Sequence, residues 1–150
     1  MPNVLLQAPH YSQSRDGMCL PACVRMVLAH RGRDYSEAAL AVLLKTRDFG
    51  TPISNAMRLE LWGLAVEVGP CTVDRLTTEL REGRPVIARV WTAMLDYWEV
   101  ETSHVVVVVG FDDEGVYVND PATAIWPHHV SWNGFLAAWF EFGQTAVFIR

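Results

Sequence analysis

Four residues in this sequence have the chemistry of acyl transfer: Gln13, Cys19, His104 and Asp120. Cys19 lies in "SQSRDGMCLPACVRMVLAHRG", at the start of a strongly apolar helical segment. A core helix has no need of a cysteine in its first turn. A thiol at a helix N-terminus feels the positive end of the macrodipole and the free backbone N–H groups, and both favour the thiolate. The competing reading is a small buried hydrophobe. His104 opens "SHVVVVVGF". A histidine there can present its ring to a cleft as a general base, or can be a satisfied core residue. Asp120 ends "VYVND" just before Pro121. Folding the two strands about "DDEG" brings His104 opposite the Asp120 end. Equal parity relative to the turn is expected to put both side chains on one face. Asp120 then holds the imidazole tautomer, or simply caps the turn before proline. Gln13 sits in the loop ahead of the helix, with five residues between it and Cys19. A side-chain amide there can reach the space above the thiol, and the Cys19 N–H supplies a second oxyanion donor.

These residues need elements to hold them. Cys19, Ala22, Cys23, Met26, Val27 and His30 follow helical spacing, Pro21 suits a first turn, and Gly32 suits the end. "DYSEAALAVLLK" predicts a second helix capped by Asp34 or Ser36. "TPISNAMRLELWG" predicts a third, ending at Gly63, followed by a short strand from Leu64 to Val68. A fourth helix runs from Thr72 to a stop at Gly83. Strands follow: "RPVIARVW", then "SHVVVVVGF", whose unbroken β-branched run implies burial on both faces, then "VYVND". "SWNGFLAAWF" reads as a short helix and "QTAVFIR" as a closing strand, while His128 and His129 read as loop. Helices first and antiparallel strands after give an α+β order.

The order Gln, Cys, His, Asp is papain-like. At "QSRDGMCLPACVRMVLAHRG" and "SHVVVVVGFDDEGVYVNDPA" the chain resembles the papain-like peptidases that process bacteriocins at double-glycine leaders, together with their bacterial relatives. "GTPISNAMRLELWGL" and "LREGRPVIARVW" fit as well, so the resemblance covers nearly the whole chain. It implies a papain-like fold, with the nucleophile helix of an N-terminal helical part packed on a C-terminal antiparallel sheet. It implies that Cys19 is the nucleophile, His104 the general base and acid, Asp120 its orienting group and Gln13 the oxyanion donor. Cys23 would be structural. Small residues such as glycine are implied next to the scissile bond.

The family usually has Asp-Cys-Gly at the nucleophile, whereas this chain has Met18-Cys19-Leu20. Leu20 is expected to reshape the substrate entrance. "WTAMLDYWEVETS" carries Trp91, Tyr97 and Trp98, which either wall a substrate groove or fold onto the core.

Composition narrows the classes. The 150 residues are 51% hydrophobic and 19% charged, which suits one globular domain over 1–150. A net charge of −5 with no basic cluster argues against nucleic acid as a partner. The apolar run Val105 to Val109 is far too short for a membrane span, and the start does not read as a signal peptide. Three cysteines suit a reduced, cytoplasmic chain. Cys19 and Cys23 on one helix lack the second pair of a zinc site, and a disulfide within one turn would be strained. The expectation is a cofactor-free and metal-free cysteine peptidase acting on a peptide or isopeptide bond. Its rivals are a non-catalytic peptide-binding module and a thiol acyltransferase.

Overall fold

The computed structural model describes residues 2–150. Its centre is an antiparallel sheet of seven strands: β1 (Val4–Leu5), β2 (Val66–Pro70), β3 (Val86–Trp91), β4 (Ser103–Phe111), β5 (Gly115–Asn119), β6 (His128–Ser131) and β7 (Thr145–Ile149). The order is β2-β7-β3-β4-β5-β6, with β1 paired to the far end of β4. Helices cover both faces. α1 (Cys19–His30), α2 (Glu37–Leu43) and a 3₁₀-helix (Ile53–Trp62) pack with Ile87, Val105, Val107 and Val147. α3 (Val73–Arg81) and α4 (Trp132–Phe140) close the other face over Val86, Ala88, Val106 and Val118. The α+β expectation holds, with the helices divided between the two faces. The valine run of β4 is buried on both sides, as its unbroken pattern requires.

Several elements differ from the sequence reading. The third helix is a 3₁₀-helix because its inward residues, Ile53, Ala56, Leu59 and Trp62, recur every three positions. The strand expected at Leu64 to Val68 begins at Val66 instead. His128 and His129, expected in a loop, belong to the edge strand β6, paired with Val118 and Tyr117 of β5. β1 has only two residues and leaves no periodic trace. Among the described residues no helix is long and apolar enough to cross a membrane.

The β4–β5 hairpin contains the decisive irregularity. Next to the turn, Phe111 pairs with Val116 and Gly110 with Tyr117. Carried on regularly, that register would set Asp120 opposite Val107, on the face away from His104. The parity expected from the turn therefore does not hold. A bulge between Val108 and Gly110 shifts the register, so Val108 pairs with Val118 and Val107 with Asn119. The extra residue flips the alternation and returns Asp120 to the face of His104.

Gly110 also lets β1 approach β4. A Cβ there would lie 2.3 Å from the Val4 carbonyl oxygen and 3.0 Å from Leu5 Cα. Gly110→Ala is expected to cost about 1–3 kcal/mol in denaturant unfolding. It should also release β1, read as faster hydrogen exchange at the Leu6 amide, which donates to the Val109 carbonyl at 2.8 Å. Unchanged exchange would contradict this.

Candidate active site

The four α-helices start differently. Ser36 caps α2, Thr72 caps α3 and Ser131 caps α4, each hydroxyl accepting a backbone N–H of the first turn. α1 begins after Met18, which makes no side-chain cap. The first hydrogen bond along the helix is Ala22 N–H to the Met18 carbonyl at 3.1 Å, so the Cys19 and Leu20 amides precede it and have no partner within the helix, and Pro21 has no N–H. The segment before the helix is fixed from two sides. Ser14 donates to Glu37 through its N–H at 2.9 Å and its hydroxyl at 2.6 Å. Gly17 has a φ of 88° and lies so close to the 48–50 loop that a Cβ would come 2.6 Å from the Asp48 carbonyl oxygen.

β4 carries His104 to the same place, buried to 4% exposure. Its Nε2 is 2.7 Å from Asp120 Oδ1, so Nδ1 is the nitrogen left for Cys19. Asp120 is fully buried and accepts four hydrogen bonds. Oδ1 also takes the Ala122 N–H at 2.8 Å, while Oδ2 takes the Tyr97 hydroxyl at 2.7 Å and the Trp98 indole N–H at 2.8 Å. The turn-capping contact and the histidine contact thus coexist on one oxygen. The Trp98 ring lies 4.7 Å from the His104 ring and Tyr97 stacks on His128 at 3.9 Å, so two aromatic side chains cover the pair.

Burial pulls the His104 imidazolium down. The Asp120 hydrogen bond and charge, with the hydrogen bond and charge of Cys19, outweigh it and raise the pKa from 6.5 to about 9. Burial likewise pushes the Asp120 carboxyl up, and His104 together with the Ala122 and Trp98 donors overcomes that and holds it below the ordinary range. The raised histidine value means that its contribution to stability is full below about pH 6.5 and lost as pH rises through about 9. The lowered aspartate contributes fully above about pH 3.8 and loses its contribution as pH falls further. The pair supports the fold across the neutral range as an imidazolium and a carboxylate. The other thiols sit in different surroundings. Burial pushes Cys23 far up, and its Sγ donates to the Val105 carbonyl at 3.5 Å, tying α1 to the residue after His104. Burial raises Cys71 to about 11.

Cys19 and His104 line a cleft of about 500 Å³ with Leu20, Phe49, Ile53 and Arg89. Of the residues expected at a substrate surface, Leu20 is in this cleft, although only 1% exposed. Trp98 is turned inward onto Asp120, and Trp91 packs edge-on against Phe142 at 6.4 Å, so neither forms the cleft wall. The wall comes from the 49–54 segment, which carried no catalytic residue type to mark it in the sequence. Gln13 is half-buried. Its N–H donates to the Pro121 carbonyl at 2.7 Å, tying it to the residue after Asp120, and its Oε1 is buried without a protein partner. Among the described residues no group of three or more His, Cys, Asp or Glu side chains could hold a metal ion.

The Peptidase_C39 like family model matches residues 5–147. The chain belongs to this family. The candidate C39-like peptidase of Bacillus anthracis has a TM-score of 0.82 at 16% identity, covering 98% of this chain and 96% of that one. The peptidase domain of Streptococcus ComA, a bifunctional ABC transporter involved in quorum sensing, gives 0.76 at 22% identity, with 94% and 97% covered. A double glycine motif protease from an AMS/PCAT transporter, in complex with the leader peptide, gives 0.75 at 18% identity, with 98% and 94% covered. At these identities the structures establish a shared C39 fold. No curated protein matches the chain.

The geometry makes the His104 titration depend on one carboxylate. In Asp120→Asn, burial loses its main opponent, and the His104 pKa should fall from about 9 toward 6.5, read from the ring-proton NMR shift. A value held near 9 would show that Asp120 is not its cause.

Proposed function

We propose that this C39-family chain is a cysteine peptidase, acting as one domain on peptide or protein substrates. The observation that carries the reading is the buried His104, anchored to Asp120 through Nε2 at 2.7 Å, with its other nitrogen left for a thiol at an uncapped helix start. The Cys19 thiolate attacks the scissile carbonyl and His104 holds the proton as imidazolium. The developing oxyanion lies over the α1 N-terminus, where the Cys19 N–H and the Gln13 amide donate to it. His104 protonates the leaving amine, which departs and leaves a thioester on Cys19. His104 then takes a proton from water, the resulting hydroxide attacks the thioester, and the acid product and thiol are released. Asp120 keeps the ring oriented throughout, and Tyr97 and Trp98 keep Asp120 in place. Peptides with glycine before the scissile bond are the substrates we expect, by likeness to the double glycine motif protease.

A peptidyl electrophile followed by mass spectrometry tests the nucleophile. Cys19 should be modified in the native protein, with Cys23 and Cys71 left untouched. Modification of either of those with Cys19 intact would overturn the assignment. A peptide library should be cleaved by the wild type and not by Cys19→Ala. Binding without cleavage by both would leave a peptide-binding module, and release of an amide formed with an added amine in preference to the acid would indicate acyl transfer. Gln13→Ala should lower kcat about 100- to 1,000-fold with little change in KM, the effect of losing one oxyanion donor. An equal rate would remove Gln13 from the mechanism.

A further inference from the structure

The cleft contains one feature that the hydrolytic machinery does not use. Arg89 projects from β3 on the face shared with Ile87 and Val105, the face that α1 covers, and it lines the same cleft as Cys19 and His104. Its guanidinium is held in place. Nε donates to Ser103 Oγ at 3.1 Å, and the guanidinium carbon lies 4.0 Å over the Phe142 ring. Trp91 packs on the same Phe142 and supports that platform. Among the described residues its terminal nitrogens make no hydrogen bond to protein and Arg89 forms no ion pair, while it is the arginine that lines the cleft. No Asp or Glu lines the cleft. A chain with net charge −5 thus keeps a positioned and uncompensated cation beside its thiol.

We propose that Arg89 is a carboxylate-binding subsite, and that the cleft selects substrates carrying a carboxylate close to the bond presented to Cys19. This rests on the peptidase reading above. An arginine fork with Nε engaged and both terminal nitrogens free matches the two oxygens of a carboxylate. Stacking on Phe142 fixes the plane, so little side-chain freedom is lost when a ligand binds. The protonated His104 adds positive charge in the same cleft. The carboxylate comes either from an Asp or Glu side chain of the substrate or from a free C-terminus.

The test uses peptidyl electrophiles on one scaffold, with rates of Cys19 labelling measured by mass spectrometry. One set carries Asp or Glu against Asn or Gln at successive positions. A second ends in a free carboxylate against a carboxamide. In the wild type, one set should label about 10- to 100-fold faster than its neutral match, the range of a charge-assisted contact. The set that does so names the source. The ratio should fall to about one in Arg89→Gln and be partly kept in Arg89→Lys. Neutral probes should label all three proteins alike, which a purely structural role for Arg89 would not allow. Equal labelling by acidic and neutral probes in the wild type, or a preference that survives in Arg89→Gln, overturns the subsite while leaving the peptidase reading intact. If no probe labels Cys19, the peptidase reading fails and the subsite fails with it.

Discussion

One buried hydrogen bond organises the molecule, that between His104 Nε2 and Asp120 Oδ1 at 2.7 Å. Two ionisable groups taken out of water are tolerable only when paired, with their remaining lone pairs filled. That requirement reaches far into the structure. The 97–98 segment folds inward because Asp120 Oδ2 needs two donors. The N-terminal stretch crosses the end of the hairpin, where His10 Nε2 contacts the Asp120 carbonyl at 2.8 Å and the Gln13 N–H reaches the Pro121 carbonyl. The bulge in β4 belongs to the same demand, since a regular ladder would leave the two side chains on opposite faces.

Much of this was legible where the signal is local. Of the two caps offered for α2, Asp34 and Ser36, Ser36 makes the contact, while Thr72, read as the first residue of the fourth helix, stands one place ahead of it as its cap; the long valine run announced its strand. The four polar residues singled out by type also lie near one another: His104 bonds Asp120, Cys19 shares the cleft with His104, and Gln13 is tied to Pro121. The bulge was hidden for a physical reason. Val105 to Val109 are identical residues buried on both faces, so a one-residue slip changes nothing in the hydrophobic pattern. The polar pair and the close packing of β1 on Gly110 distinguish the register, and both are long-range. Trp91 and Trp98 were legible as important aromatic residues, but not in their direction. Their indoles turn toward Asp120 and Phe142, partners distant in the chain.

The cleft shows a division between the two faces. The catalytic residue types come from α1 and from the ends of β4 and β5, where the sheet and two cores fix the backbone. The wall comes from the 49–54 segment, which meets the stretch ahead of α1 at the tight contact of Gly17. Such a segment can change sequence without disturbing the buried pair, as loops on a fixed scaffold commonly do.

The missing cap on α1 has an energetic side. The hydroxyls that cap the other three α-helices accept from the third helical residue, Ala39, Arg75 and Gly134, and in α1 that residue is Pro21, which has no N–H to offer. A contact worth about 1 kcal/mol elsewhere is therefore closed to α1 whatever side chain stands at Met18. The proline holds one helix end below the stability the others reach, and no substitution ahead of the helix restores that bond while Pro21 remains.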